Sequence, residues 1–113
     1  MAFRIVIRRG STVQRSRAPT LTEALARVEQ AARDTARSER RAPVDLRRRT
    51  FAPSQQVAAR IEVVGAGVRA GVDVHGDGSM TAHTGRWRRA PVDEREDETA
   101  LAALRRTLGE GVS

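Results

Sequence analysis

Between residues 57 and 84 apolar and polar side chains alternate in three successive runs separated by short turns, and a period of two dictates neighbouring antiparallel strands. Val57, Ala59, Ile61 and Val63 alternate with Ala58, Arg60, Glu62 and Val64. After Ala66-Gly67, Val68, Ala70, Val72 and Val74 alternate with polar residues or glycine. A two-residue turn there sets Ile61 against Val72 and Val63 against Ala70 on the buried face. The same register sets Arg60 against Asp73 on the other face, an opposite-charge cross-strand pair. The next turn, His75-Gly-Asp-Gly-Ser79, admits two registers. A two-residue Asp-Gly loop would put the apolar sets of the two strands on opposite faces, because a slip of one residue inverts a strand. A three-residue loop, Gly76-Asp77-Gly78, aligns Val74 with Met80 and Val72 with Ala82. That register is expected, with His83 turned away from the core.

The flanking segments supply the rest of the layer. Phe3, Ile5 and Ile7 alternate with Arg4, Val6 and Arg8, then Arg9-Gly10-Ser11 turns the chain into a weaker return strand over 12–17. Arg4 and Arg8 share one face, as do Arg15 and Arg17, and this hairpin holds five arginines and no acid. Thr20-Leu-Thr-Glu23 is a capping box opening a helix over about 21–40, ended by Pro43. Leu21, Ala24, Leu25, Val28, Ala31 and Ala32 form its apolar stripe, with Glu23–Arg27 and Glu29–Arg33 as i,i+4 pairs. Residues 44–49 read as a short strand with Val44 and Leu46 inward, and 50–54 as a loop. The acidic run Asp93–Glu98 then leads into a helix from Thr99, where its charge favours the helix dipole. Leu101, Leu104 and Leu108 give that helix its stripe, Arg105 and Arg106 close it, and Gly109 suits a left-handed cap. The order β-β-α-β-β-β-β-α predicts one α+β domain over 1–113: an antiparallel β-sheet with two helices packed on one face. The exposed face would carry Arg4, Arg8 and Arg60, with Arg15 and Arg17.

Composition narrows the class of molecule. Hydrophobic residues make up 39% and aromatics only 3%, so the core is aliphatic and thin, which favours a homo-oligomer that completes its burial across an interface. No cysteine is present, so disulfides and thiolate metal sites are excluded. The opening Met1–Arg9 run is too short and too charged for a secretory signal or a membrane span, and a cytoplasmic protein with no membrane partner is expected. All 21 basic residues are arginine, and Asn, Tyr and Cys are missing. Codon supply in a GC-rich bacterial genome yields that bias; so does a need for planar forks that grip phosphate or carboxylate in paired hydrogen bonds. The net charge of +7 is unevenly placed: the body is basic, while the residues from 93 onward are net acidic.

Three patterns bear on chemistry. His75 and His83 flank one hairpin near Asp73 and Asp77, a pair of ligands or an acid/base couple in principle. Catalytic zinc needs a third protein ligand, however, and Asp73 has Arg60 to pair with while Asp77 suits the turn, leaving the histidines half-exposed. No catalytic or metal-ligating residue, and no cofactor, is therefore assigned. Gly65-Ala-Gly67 lacks the following helix of a dinucleotide loop and is a hairpin turn. Two arginine clusters remain, Arg47-Arg48-Arg49 and Arg86-Trp87-Arg88-Arg89. Their guanidiniums suit phosphates, and Trp87 either stacks on a base or anchors the final helix. No helix-turn-helix or zinc finger is present, and the few aromatics exclude a multi-base stacking platform.

The expectation is a small non-enzymatic binding domain that holds a polyanion, foremost the nucleic-acid backbone, without sequence readout. Arg47, Arg48, Arg49, Arg86, Trp87, Arg88 and Arg89 are its principal residues, and Arg4, Arg8, Arg15 and Arg17 its auxiliaries. The alternative is a protein-interaction or assembly subunit, in which the basic body meets an acidic partner or the acidic front of a neighbour's last helix.

Overall fold

The structure, a computed structural model, describes residues 2–41, 56–85 and 90–112. Its elements are β1 (Phe3–Arg9), β2 (Thr12–Ala18), α1 (Leu21–Arg41), β3 (Val57–Gly65), β4 (Val68–His75), β5 (Met80–Thr84), β6 (Ala90–Pro91) and α2 (Ala100–Val112). The fold is α+β, with one antiparallel sheet in the order β2-β1-β3-β4-β5-β6. The order of elements is the expected one. The strand expected at 44–49 and the loop at 50–54 lie outside the described residues. The short β6 carries no sequence signal, because two residues are too few to show a period.

Alternation sets the registers of the meander. Ile61 faces Val72, Val63 faces Ala70 and Arg60 faces Asp73. Between the strands Ala66 and Gly67 have φ of 49° and 79°, the left-handed pair of a type I′ turn, whose twist matches the strands it joins. Val74 faces Met80 and Val72 faces Ala82, so the next loop has three residues. The Gly78 amide donates to His75 O at 2.9 Å, and Gly78 takes the left-handed position at φ 87°. Asp77 Oδ1 steadies the loop by accepting from the Ser79 amide at 2.9 Å and hydroxyl at 2.6 Å. The alternation does not hold at its first residue. The register shifts between Val57 and Ala59, and Val57 is 46% exposed, because a bulge turns it off the apolar face.

Both helices pack on one face of the sheet. α1 buries Ala24, Leu25, Val28, Ala32, Thr35 and Ala36 against strands carrying Phe3, Ile5, Ile61, Val63, Val72 and Val74. α2 lays Ala100, Leu104 and Leu108 over β4 and β5. Each large side chain fully buried here stabilises the fold by about 1.5–3 kcal/mol relative to exposure. Arg105 Nη2 donates to Glu29 Oε2 at 2.8 Å and so ties the two helices together.

Five expectations about the helices change. Only the Thr20 half of the capping box forms among the described residues, with the Glu23 amide donating to Thr20 Oγ1 at 3.2 Å. Glu29–Arg33 closes at 2.6 Å, whereas Glu23 and Arg27 make no ion pair among the described residues. Gly109 lies inside α2 rather than at a left-handed cap. Arg105 and Arg106 do not close α2: the first reaches α1, and the second forks onto Glu98 at 2.9 and 3.0 Å and donates to Asp93 O at 3.0 Å. The cap of α2 is Thr99, whose Oγ1 accepts from the Ala102 amide at 3.1 Å. No acid lies in the first turn of α2, so the acidic run is not its cap. No helix among the described residues is long and apolar enough to cross a membrane.

Candidate functional site

The helices cover one sheet face, and the opposite, outer face holds the side chains capable of chemistry. Strand register arranges them in three cross-strand rows. The first runs Arg17, Arg4, Val64, Arg69; the second Arg15, Val6, Glu62, Gly71, His83; the third Val13, Arg8, Arg60, Asp73, Thr81.

The β3–β5 half of this face is internally neutralised. Arg60 donates to Asp73 through Nε at 2.8 Å and Nη2 at 3.2 Å, the fork expected from the register. Burial pushes the Asp73 carboxyl up, but His83 and the Arg60 fork outweigh it and hold the group far below the usual carboxylate range. The bond to Asp73 in turn raises the Arg60 guanidinium. Arg69 Nε stands 3.9 Å from Glu62 Oε2, and Glu62 is 8% exposed.

The histidines are not both half-exposed. His83 does face outward, yet it is only 6% exposed, with Nε2 3.5 Å from Asp73 Oδ1. Gly71 explains this burial: a Cβ there would come 3.0 Å from His83 Cε1 and would also press on the Ile61 carbonyl oxygen. The imidazole thus occupies the space that the missing side chain leaves. The sequence signal was a glycine in mid-strand, which marks a close approach. His75 Nε2 lies 2.9 Å from Thr81 Oγ1, and its Nδ1 is buried without a hydrogen bond. Among the described residues no group of three or more His, Asp or Glu is placed to hold a metal ion.

The β1–β2 half is different. Arg4, Arg8, Arg15 and Arg17 are exposed, share the outer face, and have no acidic partner among the described residues. Strand geometry separates Arg15 from Arg17 by about 7 Å and Arg4 from Arg8 by about 13 Å. The fifth arginine of the hairpin, Arg9, donates to Ser38 Oγ of α1 at 3.0 Å. Arg47, Arg48, Arg49, Arg86, Trp87, Arg88 and Arg89 lie outside the described residues.

The acidic segment lies at the far end of the sheet, between β6 and α2. Asp93, Glu94, Glu96 and Asp97 are exposed, and their carboxylates have no cationic partner among the described residues. Glu98 is the exception. The Arg106 fork, together with the Arg95 amide at 2.9 Å, holds its carboxyl down at about 2. A groove of 580 Å³ opens on the helix side, with Ala36, Met80, Ala100 and Leu101 in its lining and Arg33 and Arg37 beside them. Both arginines are already bound to acids of their own helix, Glu29 and Asp34.

Comparison with known protein families, curated proteins and solved structures finds no match to this chain.

Proposed function

We propose that this chain is a non-enzymatic basic domain whose β1–β2 outer face holds a polyanion, foremost a nucleic-acid backbone. The observation that carries this reading is the set of four exposed arginines on one face at one edge of the sheet, with no acidic partner among the described residues. Elsewhere on that face arginine is matched by a carboxylate. A guanidinium without an internal partner keeps its donors for phosphate oxygens, and each phosphate neutralised releases a counterion.

The reading specifies backbone contact without base readout. Among the described residues the only rings on the outer face are imidazoles, and His83 is buried, so bases have no aromatic platform to stack on. The apolar stripes of α1 and α2 are spent on the sheet, and the arginines reach outward from strands rather than from a groove-reading helix.

The test is fluorescence anisotropy with labelled duplex DNA, duplex RNA and single-stranded RNA at low salt. Replacing Arg4, Arg8, Arg15 and Arg17 by alanine should weaken binding by at least tenfold with similar effect across sequences. The control variant Arg33→Ala/Arg37→Ala should bind as the parent does. Equal binding by parent and quadruple variant would remove the reading.

A further inference from the structure

The four uncompensated arginines have a counterpart within the same chain. Asp93, Glu94, Glu96 and Asp97 are four exposed acids whose carboxylates likewise have no cationic partner among the described residues. They follow β6, while the arginines stand on β1 and β2 at the other end of the strand order. Six strands at the usual spacing put β2 and β6 about 24 Å apart, beyond the reach of any pair of side chains. One copy therefore cannot bring these two charge sets together; two copies can.

The acidic set is also held in shape. Glu98 N donates to Arg95 O at 2.9 Å, Asp97 takes the left-handed conformation at φ 64°, and Arg106 anchors both Glu98 and the Asp93 carbonyl. The four carboxylates thus project from a fixed turn rather than from a loose tail. We propose that the β1–β2 face of one copy docks the Asp93–Asp97 turn of a second copy, head to tail. Each contact leaves one arginine face and one acidic turn free, so association continues until a ring closes or a chain grows. Val13 is the only exposed large apolar residue in the arginine rows, so the contact is weak, polar and loosened by salt. This inference rests on the reading that these arginines are free to take anions, and it makes a neighbour's turn and a nucleic acid competitors for the same guanidiniums.

Sedimentation velocity over a concentration series at low and high salt tests it, on protein freed of nucleic acid. The parent should gain weight-average mass with concentration at low salt and return to monomer at high salt. The face variant Arg15→Glu/Arg17→Glu and the turn variant Asp93→Arg/Glu94→Arg should each stay monomeric alone. Mixed in equal amounts they should associate again, because each supplies the complement of the other; circular dichroism checks that both are folded. A parent that stays monomeric at low salt overturns the proposal, as does association that persists in either variant alone. The neutral-turn variant Asp93→Asn/Glu94→Gln/Glu96→Gln/Asp97→Asn separates the two readings. It should lose self-association and keep full affinity for duplex DNA, whereas loss of DNA binding by the quadruple alanine variant concerns the arginine face alone.

Discussion

Arg60 and Arg15 stand on the same face of one sheet, two strands apart, and meet opposite surroundings. Arg60 lies on an inner strand, and the neighbouring β4 brings Asp73 into register with it, so its fork closes on a carboxylate. Arg15 lies on a strand whose sole neighbour among the described residues, β1, offers Arg4, Val6 and Arg8 on that face. Arg4 and Arg8 stand on β1, which has two neighbours, yet their cross-strand partners on this face are Arg17 and Val13 on β2 and Val64 and Arg60 on β3. The same residue type therefore pairs with acids in the β3–β5 half and meets none in register in the β1–β2 half. Abundance of arginine alone does not distinguish these roles; the residues in register on the neighbouring strands do.

The strongest test of the structural half is Gly71→Ala. The added Cβ would collide with backbone at Ile61 and crowd His83, and overpacking of this kind costs about 2–3 kcal/mol, read by urea unfolding. Next is Asp73→Asn, which leaves a part-buried guanidinium without its charged acceptor, at a cost of about 2 kcal/mol. Its pH dependence has a definite sign. The folded Asp73 carboxyl titrates below its ordinary value of 3.8, so its contribution is fully present above that value and is lost as pH falls through the lower, folded one. The stability gap between parent and Asp73→Asn should accordingly be constant at neutral pH and shrink on acidification below about pH 4. The same variant blurs the contrast between the halves: with Arg60 released, the outer face gains a fifth free arginine, and the salt slope for duplex DNA should steepen by about 0.9.

The smallest effect on stability belongs to the other half. Alanine at Arg4, Arg8, Arg15 and Arg17 should each change unfolding free energy by no more than about 0.5 kcal/mol, since these side chains are exposed and make no ion pair among the described residues. A loss of several kcal/mol per site would place them with Arg60 as structural residues.

Legibility from sequence follows the same divide. Period-two alternation carried the registers of β3, β4 and β5, because a one-residue error would have buried Arg60 and exposed Ile61. The sidedness of Arg4, Arg8, Arg15 and Arg17 came from the same rule. What the pattern did not carry was non-local or aperiodic. The Arg105–Glu29 tie joins positions 76 residues apart, the bulge at Val57 breaks the count, and His83 over Gly71 depends on a side chain that is absent. The acidic run read as helix-capping charge, whereas the cap is Thr99, and among the described residues Glu98 alone of the run bonds a guanidinium through its carboxylate. The arginine clusters at 47–49 and 86–89 lie outside the described residues.

The most direct measurement is the slope of log affinity for duplex DNA against log salt concentration, for the parent and for the Arg4, Arg8, Arg15, Arg17 alanine variant. Four phosphate contacts make the two slopes differ by about 3.6, with the parent losing roughly 150-fold in affinity between 50 and 200 mM salt through those contacts alone. Superimposable slopes would contradict the account, because they would mean that these four guanidiniums displace no counterions and that the edge of the sheet is merely solvated.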